Sequence, residues 1–452
     1  MNISKSRSID MLDGPLFSNI LAFSIPIMLT SLLQMLFNQA DQIVVGQFAG
    51  TDALAAVGAT GSLCFMMIAL FGGIGRGANV VIAQLMGARD KDGVSRAVHT
   101  SVLVSVIAGL LMTVIGIAMS RPLLTLMSTP DEIIDQSTLY MKLYFGGIMF
   151  IMVYNVGSAV LRSKGDTRRP LYYLLVAGVL NVVLNLIFVI VFKWGVAGVA
   201  IATVISNAVS TVLVITALFK ETDETKLVMS KMKVDGGILL NVLRIGVPAG
   251  IQGMMFAVSN VVIQSSINSF GSASIVAANT AAANIENFVY IGMNFSEATL
   301  TFISQNVGAK RYRSIGRITR LTMALDVGGA ALIGVLVWVF GKYILALYTT
   351  DPGVIEIGMT RMTWVALFLF LNAVLDIFVS ALRGMGLSIM PTIAMIVGIC
   401  GIRIVWLLTV FAKVGTLASI YMCFPVSWAI TSAVTGVMWY REYRKMIKDL
   451  KE

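Results

Sequence analysis

The chain has 452 residues, of which 57% are hydrophobic and 12% charged, with a mean hydropathy of +0.87. A soluble domain carries about twice that charged fraction, so this composition excludes a protein kept in solution by a polar surface. The apolar runs are continuous rather than alternating, which argues against a β-barrel.

The opening segment, Met1–Asp13, is polar and charged. No small-residue cleavage site closes the apolar run after it, so no removable signal peptide is expected. Runs of about 20 apolar residues, the length that crosses a bilayer as a helix, then recur along the chain. They predict twelve spans, near 16–47, 54–84, 96–119, 137–161, 170–192, 195–219, 242–269, 276–307, 318–341, 355–382, 390–412 and 415–440. The longest polar stretch follows the sixth span and includes Glu221, Asp223, Glu224, Lys226, Lys231 and Lys233. The expected organisation is an amino-terminal lobe over 1–220, a cytoplasmic linker over 221–241, a carboxy-terminal lobe over 242–440 and a basic tail over 441–452.

The net charge of +10 could suggest a nucleic-acid partner, but its distribution argues for topology. With alternating spans, Arg121, Lys193, Lys342 and Lys413 are the basic residues of one set of loops, and most of the remainder fall in the other. That is the positive-inside pattern. It predicts both termini in the cytoplasm and the lipid bilayer, rather than nucleic acid, as the surrounding partner. Cys64, Cys400 and Cys423 sit in apolar stretches without pairing or metal spacing.

The strongest organisational signal is an internal repeat. Pro26, Phe48, Ala55 and Ala56 answer Pro248, Phe270, Ala277 and Ala278 at an interval of 222 residues. Gln84-x-x-Gly87-Ala88-Arg89 answers Gln305-x-x-Gly308-Ala309-Lys310, and Leu161-Arg162-x-x-Gly165 with Pro170 answers Leu382-Arg383-x-x-Gly386 with Pro391, both at 221. A unit of six spans is even, so both copies enter from the same side. The fold class expected is therefore all-α integral membrane, twelve transmembrane helices in two six-helix lobes related by a pseudo-two-fold along the membrane normal.

At these landmarks the sequence resembles the multidrug and toxic compound extrusion family, and the resemblance covers nearly the whole chain. It is carried by Pro26 and Asp41-Gln-Ile-Val-Val-Gly46, by the Gln84–Arg89 loop and its copy, by Leu161-Arg162-x-x-Gly165-Asp166-Thr167-Arg168, and by Asn181-x-x-x-Asn185 running into Gly195–Thr203. The family implies export of amphipathic organic cations driven by a proton or sodium gradient.

Ionisable groups inside spans are costly and are functional candidates by default. Gln34, Asn38, Asp41 and Gln42 fall on one face of span one by helical spacing, and the resemblance places the family's amino-terminal cation-site aspartate at Asp41. Asn181 and Asn185 lie one turn apart, as do Thr203 and Asn207. With Asp41 they could form an all-oxygen cation pocket, for which Asp41, Asn181, Asn185 and Thr203 are the coupling candidates and Asp41, Asn181 and Thr203 the sodium ligands. Asn181 and Thr203 match the family's site. Asn185 stands where many relatives have aspartate, which removes a negative charge.

In the second half, Asn260, Gln264 and Asn268 share a face of span seven, followed by Asn284, Glu286 and Glu297 and then by Asn372 and Asp376. The family's carboxylates in this lobe align with Phe256 and Asn372, so any carboxy-lobe site would be rebuilt from Glu286 and Asp376. Gln34, Asn38, Gln42, Asn207, Asn260, Gln264, Asn284, Glu286, Asn372 and Asp376 are the expected cavity residues. Arg76 and Arg403 are expected to neutralise a carboxylate or to snorkel, and Asp326 has no partner that the sequence names. His99, the only histidine, reads as an interfacial residue capping a helix. Gly72-Gly73-x-Gly75-x-Gly77 lacks the lysine of a phosphate loop and reads as close helix packing. Pro26 is the expected hinge.

The expectation is a monomeric antiporter of the bacterial inner membrane that exports organic cations, with no cofactor beyond the transported proton or sodium ion. A lipid-linked precursor flippase of the same superfamily and a polytopic membrane transferase remain as alternatives. Cavities of the flippases are rich in arginine, whereas the polar groups here are mostly amides and acids. A transferase would want acidic or histidine clusters in loops, where this chain offers little beyond Asp131, Glu132 and Asp135.

Overall fold

A computed structural model of the chain describes residues 8–127, 129–292 and 294–448, so the last four residues of the expected tail lie outside the described residues. Every regular element among the described residues is helical. Helices α1 (Leu16–Phe48), α2 (Thr51–Gly87), α3 (Lys91–Leu126), α4 (Asp131–Gly146), α5 (Ile148–Ser163), α6 (Arg168–Val191) and α7 (Gly195–Lys220) form the first half. The second half holds α8 (Gly236–Asn268), α9 (Ala273–Gly292), α10 (Ser296–Gly308), α11 (Tyr312–Val339), α12 (Pro352–Gly384), α13 (Ile389–Val414) and α14 (Leu417–Lys448).

Ten of these helices are long and apolar enough to cross a membrane, and eleven spans result if α4 and α5, bent by 43° at Gly147, count as one. The expected eighth span, 276–307, is divided between α9 and α10. Each expected span therefore has its helix or helix pair, and the fold is the all-α, two-lobe, twelve-span arrangement.

The repeat recurs in the backbone. Arg89 and Lys310, at matching positions, both take positive φ, 58° and 56°, and so do Gly165 and Gly386 at 93° and 87°. At Gly165 the requirement is also steric, because a Cβ would lie 2.3 Å from the carbonyl oxygen of Ile9. Both α6 and α13 carry a π turn towards their carboxyl ends, Ile187–Val191 and Leu407–Phe411.

The chain divides into two compact units. The first takes its described residues from Met1–Asp10 and Ile25–Gly250, the second from Met11–Ser24 and Ile251–Glu452. In the first unit the glycines of α2 admit the backbone of α8: a Cβ on Gly73 would lie 2.0 Å from the carbonyl oxygen of Gly246, and one on Gly77 2.2 Å from that of Val242. The Gly72–Gly77 run is thus a packing surface. In the second unit a core forms around Ile263, Leu375, Ile399, Tyr421 and Trp428.

The polar stretch after α7 is tied to the first unit rather than free. Lys164 Nζ donates to Glu221 at 2.5 Å and to Asp223 at 2.7 Å, and Arg169 Nη1 reaches the other Glu221 oxygen at 2.5 Å. Partial burial pushes the Asp223 carboxyl up, but Lys164 and Thr225 outweigh it and hold the group below the usual carboxylate range. His99 is 1% exposed. Its Nε2 accepts the backbone N–H of Val228 at 2.9 Å, while Nδ1 lies 2.6 Å from the carbonyl oxygen of Ser95. With Nε2 as the acceptor, Nδ1 is the nitrogen placed to donate to Ser95. The expectation of an interfacial cap is corrected: His99 is a buried anchor for the connecting segment.

Candidate functional site

In the first unit the amides of α6 reach Asp41 of α1. Asn185 Nδ2 donates to Asp41 Oδ1, and also to Asn181 Oδ1 at 3.2 Å. Asn181 Nδ2 in turn donates to Thr203 Oγ1 at 3.3 Å, whose proton goes to the carbonyl oxygen of Val199 at 3.0 Å. The four residues singled out as coupling candidates therefore form one hydrogen-bonded chain across α1, α6 and α7. One-turn spacing on α6 sets this up, because residues four apart share a face.

Asn185 is fully buried, and its Oδ1 has no hydrogen-bond donor. A buried amide oxygen left without a donor costs about 1–3 kcal/mol. A hard cation beside it would offset that cost, since carboxylate, amide and hydroxyl oxygens are its preferred ligands. The donor set thus fits sodium or a hydrated proton. Sequence reasoning missed the surroundings of this pocket: Tyr140 of α4 packs against the buried cluster that includes Val44 and Val45 of α1. Tyr140 and Tyr144 stack with ring centroids 6.0 Å apart. Contacts between α4 and α1 carry no signal in local spacing.

The remaining cavity candidates of this half, Gln34, Asn38, Gln42 and Asn207, are exposed or half-buried. None has a side-chain hydrogen bond among the described residues, which leaves their amides open to a guest.

The second unit separates Glu286 from Asp376. Arg361 Nε donates to both Glu286 oxygens at 3.0 and 3.1 Å, and Nη2 adds a bond of 2.7 Å. Nη1 continues to Asn279 Oδ1 at 2.6 Å, and Asn279 Nδ2 to Gln264 Oε1 at 2.9 Å, with Gln264 bonded on to Asn268. Glu286 is therefore half of a buried, forked ion pair, and a carboxy-lobe site rebuilt from Glu286 and Asp376 together does not form.

Asp376 instead accepts the Tyr290 hydroxyl at 2.7 Å and Asn372 Nδ2 at 3.2 Å. Asn260 is exposed and Asn284 half-buried, without side-chain bonds among the described residues. Arg403 corrects a second expectation. It is 3% exposed, donates from Nε to Ser427 Oγ at 3.2 Å, and lies 4.3 Å from the centroid of the Phe424 ring. Aromatic faces take the place of the expected carboxylate.

The comparisons with known proteins agree with this architecture. The MatE family model matches twice, over residues 26–187 and 248–409, which is the repeat read from the sequence. The chain is 29% identical over 428 residues to the probable multidrug resistance protein YoeA of Bacillus subtilis (strain 168), covering 90% of each chain. It is 25% identical over 393 residues to the probable multidrug resistance protein NorM of Thermotoga maritima, covering 85% of this chain and 83% of the relative. Among solved structures, the outward-facing conformation of a multidrug resistance MATE family transporter superposes with a TM-score of 0.90 at 23% identity, over 98% of this chain and 99% of that one. The chain belongs to the MatE family, whose members are membrane transporters rather than enzymes.

Proposed function

We infer that this protein is an antiporter that exports small amphipathic organic cations from a bacterial cell while protons or sodium ions enter. Asp41, Asn181, Asn185 and Thr203 hold the coupling ion in the first half, and the open amides of α1 and α7 contact the drug. The observation that carries this reading is the unsatisfied Asn185 oxygen beside the Asp41 carboxylate. The names of the curated relatives, multidrug resistance proteins, support the substrate class. The positive-inside pattern supports cytoplasmic termini in the inner membrane, and the monomer is the working unit.

Energetics are adequate. A potential of 100 mV contributes about 2.3 kcal/mol per charge moved, and 1.4 kcal/mol is tenfold. One coupled charge sustains a drug gradient of about 50-fold, and two charges about 2,500-fold. Exchange follows if ion and drug favour opposite-facing states, each biasing the equilibrium by its own differential affinity.

The test is ethidium efflux from energised cells expressing the wild type or Asp41→Asn, at fixed potential, with and without sodium. Loss of efflux in the variant at normal expression is expected, and the sodium dependence of the wild type identifies the ion. Full coupled efflux in Asp41→Asn overturns the assignment.

A further inference from the structure

The internal repeat aligns the start of α3 with the start of α11, and the two share their backbone turn at Arg89 and Lys310. Val94, Ala97 and Val98 match Ile315, Ile318 and Thr319, and all six are buried. The polar positions between them differ. Asp90, Asp92 and His99 of the first copy are answered by Arg311, Arg313 and Arg320 of the second, while Arg96 is answered by Arg317.

In the first unit this face is covered. His99 accepts from Val228, Thr100 Oγ1 donates to the Lys233 carbonyl oxygen at 3.3 Å, and Arg96 pairs with Asp235 at 3.0 Å. The connecting segment after α7 is thus laid across the start of α3. Its counterpart in the second copy begins at Arg441, which matches Lys220. There the chain does not leave the helix, and α14 runs on to Lys448. The equivalent face of α11 stays open: Arg313, Arg317 and Arg320 are all exposed, on one stripe by their helical spacing. Arg311 is taken by Asp13 at 2.7 Å, and Arg320 gives only Nε to the Gly316 carbonyl oxygen at 3.2 Å.

The end of α14 brings further cations to the same place. A Cβ on Gly316 would lie 2.6 Å from the Tyr443 hydroxyl oxygen, so this end packs on the start of α11. Arg441, Arg444 and Lys448 around Tyr443 are exposed. Glu442 is the one acid of the stretch, and Lys445 already holds it at 2.6 Å. These three and the three arginines of α11 have no ion-pair partner among the described residues. Their depth follows from length. At about 1.5 Å per residue, the 32 residues of α14 outrun a hydrocarbon core of about 30 Å. Trp439 and Tyr443 stack with ring centroids 5.2 Å apart, and Arg444 lies 4.7 Å from the centroid of the Tyr440 ring. Tryptophan and tyrosine grouped in this way mark the membrane–water interface.

We propose that the start of α11 and the end of α14 form a binding site for anionic phospholipid headgroups, which cover the face that the connecting segment covers in the first half. Guanidinium forks match the oxygens of a phosphodiester, and clustered cations beside a span are a recognised form of lipid selection. Acyl chains would lie against Val434 and Val437, both exposed within the two turns before Arg441. A free phosphate has no part that uses this apolar surface.

The test uses the purified, delipidated full chain in neutral detergent, titrated with phosphatidylglycerol, cardiolipin or phosphatidylcholine. Retained lipids are counted by native mass spectrometry. Two variants with the same loss of charge are compared: Arg313→Gln/Arg317→Gln/Arg320→Gln, and Lys91→Gln/Lys226→Gln/Lys231→Gln at exposed positions of the first unit. The wild type is expected to retain the two anionic lipids in preference to phosphatidylcholine. Retention should be about tenfold weaker in the arginine variant and unchanged in the lysine variant. Equal losses in the two variants overturn the proposal, because net charge alone would then explain the attraction. Displacement of the lipid by inorganic phosphate at equal concentration also overturns it, as does tighter binding of an acidic peptide than of either lipid. If the arginine variant fails to fold by size-exclusion, Arg441→Gln/Arg444→Gln/Lys448→Gln removes the same charge from α14 and is read in the same way. None of these readouts depends on transport.

Discussion

At the residue scale, the informative substitution is the one that this chain itself carries. Asn185 stands where aspartate is common in the family resemblance, and in the structure it is both the donor that holds Asp41 and the owner of the unsatisfied oxygen. Asn185→Asp keeps the shape and replaces the amide by a second carboxylate. Two charges about 4 Å apart interact by about 4 kcal/mol at an effective dielectric of about 20, and desolvation takes back much of that. The expected outcome is half-saturation at about tenfold lower sodium, equivalent to about 1.4 kcal/mol, measured as sodium-dependent efflux or direct binding. An unchanged sodium dependence would remove Asn185 from the ion's ligands. Much of this site was legible in the sequence because its members recur one turn apart on α6, and because a lone acid in an apolar span needs a partner. The second unit was less legible. Glu286 and Arg361 are 75 residues apart, and no helical period encodes such a pair. Reading Glu286 as a cavity acid failed because the arginine that takes up its oxygens sits on a different span.

At the element scale, the glycine pattern in α2 decides how closely α8 can approach. Gly73 and Gly77 face backbone carbonyls of α8, whereas a Cβ on Gly72 would meet nothing within 4 Å. Gly73→Ala and Gly77→Ala must push two helix backbones apart, an overpacking cost of about 1–3 kcal/mol each. Gly72→Ala should be silent. Thermal unfolding of the purified variants in detergent checks the contrast, and equal losses at all three positions would show that flexibility rather than contact is at stake. The sequence showed a Gly-rich run, and the missing phosphate-loop lysine pointed to packing. It could not say which glycines face a neighbour, since that depends on the rotation of α2 against α8.

For the whole molecule, the chain crosses between its compact units three times, at 10/11 ahead of α1 and, inside helices, at 24/25 in α1 and at 250/251 in α8. The beginnings of α1 and α8 are thereby exchanged: residues 11–24 belong with the second unit and 236–250 with the first. Matching contacts hold each start in place. Asp13 pairs with Arg311 at 2.7 Å, and Asp235, its counterpart 222 residues on, pairs with Arg96 at 3.0 Å. The internal repeat made the two halves legible, but an exchange of helix starts leaves no mark in hydropathy. It also gives the prolines a place, because Pro26 and Pro248 lie within two residues of the crossovers and each removes one helical hydrogen bond. Any cycle that moves one unit against the other has to be absorbed where the chain passes between them, and a proline-weakened turn absorbs it at low cost. Thr30 Oγ1 donates to the Pro26 carbonyl at 2.7 Å, which gives that carbonyl an acceptor role outside the helix ladder. Pro26→Ala restores the missing N–H donor and stiffens the turn. It should leave expression and thermal stability near wild type while lowering ethidium efflux about tenfold, a barrier increase of about 1.4 kcal/mol. Full efflux with restored helicity would assign the bend a static role and move the hinge elsewhere. Lost stability together with lost efflux would instead make Pro26 a packing residue of α1.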